Sequence, residues 1–499
     1  MRNYYNFPQI TDEQKFWIAI SFLLLILSAF LSHFSLLGDF RTYQFGVKHQ
    51  WMWDPDGPYL SSGIFFFRVD KLDFHGHPGL ILQMLIGIVS ESMFLIAKFL
   101  NCPVGYEKFI VKNYYWLVFF SRTILTAVHL CSFFVLYRIC IRLMSSRAAL
   151  LAVCSYATTY TLIFYINRIS PEVILILSML LAIFSFFKYQ EQKEKECFTI
   201  LYIIGAAFFC SVSCFSKFML GIPFSLALMI YLFALIFFDD GDKQLSKIRN
   251  WFVFCSFMAL FVSIMSLKID ILRFFEFWFK HSPVDKDMIH PGLEGSIQMV
   301  NIINSYFQNY IIPFLSYKTW LPQQTKMGLF VLAESVFAVV SIVGGLIFFK
   351  KNRNDRWKTG LFIIIIICTL PIVIYRNDFH YYFLYTVFAS IFCGYIIAYW
   401  LDTYLTANIS EGRKFIFGLL IVGLIHCPGL MISLDGKIYN MKQYYNHKKC
   451  ISSLRTMEYS EKLPKAIKKT ALMRSLGFQY YTTSNSLKEA ASYYVNSEN

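Results

Sequence analysis

Apolar residues run in long blocks along most of the chain, and polar residues collect between the blocks. Ile18–Leu31, Val253–Ser266 and Leu361–Cys368, for example, carry no charge. Bilayer hydrocarbon is about 30 Å thick and a helix rises about 1.5 Å per residue, so roughly 20 apolar residues cross it. The blocks lack the period-two alternation of barrel strands. The pattern therefore predicts an all-α polytopic membrane protein of about eleven spans, at 16–38, 117–137, 148–166, 172–189, 198–216, 218–238, 250–268, 327–349, 359–375, 380–401 and 415–435. The first block is too long for a cleavable leader and lacks a small-residue cleavage site, so it reads as a retained signal anchor.

Segment 79–100 is also apolar, and loop charge decides how it is read. If it does not cross, the cytoplasmic loops hold Arg138, Arg142 and Arg147, then Lys188, Lys193 and Lys195, then Lys243, Lys247 and Arg249. Lys350, Lys351, Arg353, Arg356 and Lys358 follow, and finally Arg413 and Lys414. The outer turns then hold little more than Arg168, Lys217 and Arg376. The N-terminus is expected inside and the C-terminus outside. Segment 79–100 becomes an outer juxtamembrane or re-entrant element whose Ser90 and Glu91 face protein or water. The basic tail after residue 436 opposes this topology, although long tails translocate largely regardless of charge.

The domain division is thus a transmembrane domain over 1–435, with outer segments at 39–115 and 269–326, and a small extramembrane tail over 436–499. Segment 39–115 is rich in Tyr, Trp, Phe, Pro and Gly and should fold onto the membrane. Tyr306–Trp320, broken by Pro313, suits an interfacial helix. In the tail only Glu461–Gly477 suggests a short helix.

Composition agrees. The chain is 57% hydrophobic, 19% aromatic and only 15% charged, too apolar for a soluble enzyme of 499 residues. Its net charge of +15 sits in short clusters between apolar blocks rather than along a basic stripe, so nucleic acid is not an expected partner. Cysteines such as Cys131, Cys140, Cys210, Cys214, Cys255, Cys368 and Cys393 fall inside apolar blocks without a histidine to complete a metal set, and read as packing.

The ionisable residues at span ends gather on the outer side. Asp54, Asp56, Arg68, Asp70, Asp73, His75 and His77 occupy the first outer segment, and Arg122 lies one turn into the next span. Arg168 and Glu172 flank a tight turn, Lys217 separates two apolar blocks, and Arg376, Asp378 and His380 fill another turn. Alone, each suits a snorkelling charge or an ion pair. Together they suit one outer cavity, where cations hold a phosphate entering from the lipid and a carboxylate handles a proton. In Trp53-Asp54-Pro55-Asp56-Gly57-Pro58-Tyr59 the Pro and Gly residues favour a turn that presents the two carboxylates.

These motifs resemble the GT-C superfamily of polyprenyl-phosphate-sugar glycosyltransferases, most of all the family 39 branch with protein mannosyltransferases and the lipid A aminoarabinose and galacturonic acid transferases. Asp56-Gly57-Pro58-Tyr59 and His77-Pro78 match the order and approximate spacing of that family's outer loop. Arg122, Ser216-Lys217-Phe218 and the stretch from Arg376 to Phe383 resemble its later motifs. The family's acidic pair is adjacent, whereas Pro55 separates Asp54 from Asp56, which leaves open which aspartate is catalytic. The resulting Asp-x-Asp also leaves open a divalent cation at Asp54/Asp56. No metal ligand is assigned, because two aspartates without a third ligand make a poor site.

The resemblance implies a GT-C-like bundle and an inverting glycosyltransferase in a membrane, with a bacterial inner membrane favoured by the short loops. Its partners would be a polyprenyl-phosphate sugar donor, a glycan, lipid or protein acceptor, and membrane lipids. Asp56 or Asp54 would be catalytic, and Tyr59, His77, Arg122, Glu172, Lys217, Arg376 and His380 would bind substrate. A transporter or lipid flippase is the main rival, and it would favour internal repeats and midplane charges that the chain does not display. A non-catalytic envelope-assembly protein is the other.

Overall fold

The computed structural model describes residues 56–70, 79–101, 104–159, 162, 169–191, 196–238, 244–269, 325–352, 356–376, 383–405, 409–429 and 431. Every regular element among them is helical. In chain order they are α1 (Asp56–Ile64), α2 (Leu80–Phe99), α3 (Tyr106–Lys112), α4 (Tyr114–Leu143), α5 (Ser146–Thr158), α6 (Pro171–Glu191) and α7 (Glu196–Ser216). There follow α8 (Phe218–Phe238), α9 (Gln244–Ser266), α10 (Thr325–Lys351), α11 (Arg356–Arg376), α12 (Phe383–Tyr404) and α13 (Glu411–Gly429).

Eight described helices are long and apolar enough to cross a membrane. Seven fall on expected spans, and the eighth is Leu80–Phe99. That helix is unbroken from Leu80 to Phe99. Expected spans 327–349 and 359–375 lie within α10 and α11. Span 16–38, the second outer segment from 270 to 324 and the tail from 432 onward lie outside the described residues.

Helix α5 covers the first part of expected span 148–166 and ends at Thr158, where Thr159 turns extended; Leu162 is helical again, and the rest of that span lies outside the described residues. The hydroxyl of Thr158 donates to Cys154 O and that of Thr159 to Tyr156 O, each at 2.8 Å. Hydroxyls that take the last carbonyls compete with helix propagation. The other end of α5 starts where Ser145 Oγ accepts from Ala148 N–H, a regular N-cap.

Apolar side chains gain little by leaving lipid for protein, so close approach and buried hydroxyls must hold such helices together. Both are present. Helices α6 and α7 pack face to face, with Ser178 Oγ and Ser213 Oγ 2.8 Å apart. Helix α12 packs between α5 and α10. A Cβ on Gly394 would lie 2.2 Å from Ala152 N, and one on Gly344 2.2 Å from Phe392 O. Only glycine permits these approaches. The cysteine reading is consistent with burial, since Cys140, Cys154, Cys210, Cys214 and Cys393 are buried and unbridged.

The two ends of the bundle differ in charge. At one end Arg142 Nε meets Glu191 Oε1 at 2.5 Å, and Lys188 Nζ meets Glu191 Oε2 at 2.8 Å. Arg147 pairs there with Asp402 and Glu411, and Lys414 stands 3.6 Å from Asp402. These are loop residues the sequence assigns to the cytoplasm. Helix α6 carries Glu191 at that end and Glu172 at the other.

Candidate functional site

The end opposite the basic loops is built around the start of α6 and the junction of α7 with α8. Pro171 opens α6, where its missing N–H costs nothing. Glu172 follows in the first turn, where the helix dipole favours a carboxylate. Lys217 is the single residue between α7 and α8. Its N–H donates to Ser213 O at 3.1 Å and its carbonyl accepts from Gly221 N–H at 2.8 Å, so the chain reverses with no loop. Gly221 makes the reversal possible, because a Cβ there would lie 2.2 Å from Ser213 O.

The reversal aims Lys217 at Glu172. Nζ donates to Oε1 at 2.5 Å, and Ser170 Oγ donates to Oε2. Glu172 is 3% exposed and Lys217 8%. A buried charge is tolerated when an opposite charge and hydrogen bonds offset its lost hydration. The sequence reading set both residues against substrate, and the structure adds that they face each other.

Arg122 lies on α4 and is 2% exposed. With Thr126 and His129, also buried, it forms a polar stripe at i, i+4 and i+7 along one face of the helix. That spacing is visible in the sequence, yet only Arg122 is singled out by motif.

The first outer segment reaches the same end through apolar packing. Tyr59, Leu60 and Ile64 of α1 share one buried cluster with Leu125 of α4, Val173 of α6 and Val212 of α7. A second cluster joins Phe66 to Cys214 and Phe215, just before Lys217. The neighbourhoods of Asp56, Arg122, Glu172 and Lys217 therefore belong to one end of the bundle.

Tyr59 is itself a core residue, 3% exposed, and its ring covers Gly79. Gly79 has φ of +40°, and a Cβ there would lie 2.3 Å from Tyr59 Cε1. Left-handed backbone and absent side chain together let α1 seat on α2. Tyr59, expected to bind substrate, packs its ring on the scaffold.

Asp56 opens α1 and Arg376 closes α11, with only their backbones described. Asp54, His77, Arg168, Asp378 and His380 lie outside the described residues. Among the described residues no three His, Cys, Asp or Glu side chains come close enough to hold a metal ion. The Asp54/Asp56 carboxylates are not part of that set.

The sequence singles out Arg68 and Glu91 separately, and the structure pairs them. Arg68 Nε and Nη2 donate to the two carboxylate oxygens of Glu91 at 2.5 and 2.9 Å. Nothing in the local sequence signals a partner 23 residues away.

No protein-family profile and no curated protein matches this chain by sequence. Its structure is similar to that of the archaeal oligosaccharyltransferase AglB from Archaeoglobus fulgidus, solved with an inhibitory peptide and a dolichol-phosphate. The TM-score is 0.50 at 13% identity, covering 95% of this chain and 61% of that one. This chain thus spans about three fifths of the length of that relative. ArnT from Cupriavidus metallidurans in the apo state aligns with a TM-score of 0.47 at 13% identity, over 89% of this chain and 79% of that one. The likeness to AglB shows that the two chains share a fold. With eight helices able to span a bilayer, the chain is an integral multi-pass membrane protein.

Proposed function

We propose that the chain is a family 39-like, inverting glycosyltransferase that moves a sugar from a polyprenyl-phosphate carrier to an envelope glycan, lipid or protein. The reaction would occur at the outer face of a membrane, taken as the bacterial inner membrane. The observation that carries this reading is the shared apolar body that joins α1, opened by Asp56, to the helices that bear Arg122 and Glu172 and lead to Lys217. The GT-C-type fold supports it. The charge difference between the ends supports the sidedness, because cytoplasmic loops are the ones enriched in Lys and Arg.

In this scheme the acceptor oxygen attacks the anomeric carbon and Asp56 takes the acceptor's proton. The carbon–phosphate oxygen bond breaks, and the polyprenyl phosphate leaves with that electron pair. Attack opposite the leaving group inverts the anomeric centre. Arg122, Lys217 and Arg376 stabilise the departing phosphate, with Glu172 orienting the Lys217 ammonium. The lipid tail lies between helices, where burial costs nothing.

Asp56→Asn tests the scheme. General-base help is worth about 10²–10⁴-fold, so the variant at normal abundance should abolish the surface glycan that a deletion strain also lacks. Retained product removes Asp56 from the chemistry. Transfer insensitive to EDTA is expected, and its loss would assign a divalent cation to Asp54/Asp56. Substrate flux through the purified chain in liposomes without sugar transfer would replace the reading with a transporter.

A further inference from the structure

Four contacts converge on the turn that follows α1. The Tyr106 hydroxyl donates to Ile64 O, in the last residue of α1, at 2.6 Å, and its oxygen lies 3.0 Å from Ser90 Oγ. Arg68 grips Glu91 of α2 through two parallel hydrogen bonds, the most directional form of ion pair. The same guanidinium stacks 3.6 Å from the centroid of the Tyr106 ring. Lys268 Nζ, just beyond α9, donates to Val69 O at 2.7 Å.

These contacts have a common effect. Helix α1 has only nine residues, and a helix that short does not hold its own shape or direction in isolation. Its apolar face seats it on α2, but such packing tolerates sliding. The fork of Arg68 on Glu91 is directional and sets both the rotation of the turn and the distance between α1 and α2. Lys268 then ties the turn to the end of α9. The pair is partly exposed, with side-chain exposures of 36% for Arg68 and 19% for Glu91.

We infer that Arg68 and Glu91 are positioning residues that hold the helix opened by Asp56 in register with the reaction site. The inference rests on the transferase reading of Asp56. Neither residue touches the reacting atoms in this account. They act through α1.

The test uses the full chain in nanodiscs. Radiolabelled polyprenyl-phosphate sugars extracted from parent membranes serve as donor, and deletion-strain membranes as acceptor. Hydrogen exchange over residues 57–64 is followed on the same samples. Arg68→Ala and Glu91→Ala should each lower the maximal rate by about 10²-fold, the cost of a displacement of about 1 Å. The half-saturating donor concentration should move by less than about threefold, since donor binding is untouched. Exchange in α1 should rise by about tenfold. The charge-swapped pair Arg68→Glu with Glu91→Arg should recover both rate and protection.

The inference is overturned by α1 exchange that stays at the wild-type level in the single variants. It is also overturned by a loosened α1 with full rate, or by a defect confined to half-saturation. All three outcomes leave the transferase reading intact if the wild type transfers sugar. A wild-type chain that transfers nothing overturns both together.

Discussion

Exchanging Lys217 for Met keeps the length and apolar stem of the side chain and removes the ammonium that meets Glu172 at 2.5 Å. At an effective dielectric near 20, unit charges at that separation attract by about 6–7 kcal/mol. Desolvation of the two ions offsets most of this, so the intact pair contributes little net stability. Removing one member is different. A carboxylate 3% exposed then stays buried without its counter-ion, which costs about 3–5 kcal/mol. Glu172→Gln strands the ammonium and should cost a similar amount. The double variant buries no charge and should return to within about 1–2 kcal/mol of wild type. Dodecyl sulfate unfolding of the purified chain in mixed micelles, read by tryptophan fluorescence, yields the double-mutant cycle. Single variants costing less than about 1 kcal/mol, the range of exposed pairs, would refute the buried-pair argument. So would a double variant that costs the sum of the two. The double variant also separates stability from chemistry. Under the proposed mechanism it should fold normally yet lose about 10²–10³-fold in transfer, because the cation assigned to the leaving phosphate is gone.

Two further outcomes follow from the packing. Gly394→Ala should destabilise the α5–α12 contact by about 1–3 kcal/mol, the usual cost of overpacking, because the new methyl meets backbone atoms of Ala152 that cannot swing away. Wild-type behaviour in the same unfolding assay would show that the helices separate at no cost. Tyr106, on the short α3 outside the spans, has its phenol pushed up to about 12 by burial. An acid with a raised folded pKa loses stability as pH climbs from its unfolded value near 10. Wild type should therefore weaken between about pH 10 and 12 more steeply than Tyr106→Phe, and parallel pH profiles would remove Tyr106 as the source.

Much of the architecture is legible in the chain because its cause is local. Whether a block such as Phe218–Phe238 becomes a membrane-length helix depends on its own length and apolarity, and those are properties of consecutive residues. The same holds for the charge asymmetry between loops, which anticipates that Arg142, Arg147, Lys188 and Lys414 share one end. It also holds for Glu172 and Lys217 as span-end charges on the opposite end. What tertiary structure alone decided is which of these groups meet. Lys217 and Glu172 are 45 residues apart and Arg68 and Glu91 are 23 apart. Each pairing depends on how helices rotate and approach, as with the loop-free reversal at Gly221 and the left-handed step at Gly79. The end of α5 at Thr158 belongs to the same class, since apolar composition continues past it while two threonine hydroxyls take the helix carbonyls. Hydropathy is a sum over neighbours in sequence and reports where a helix forms. An ion pair or a glycine contact is a relation between distant residues, and only the folded chain defines that distance.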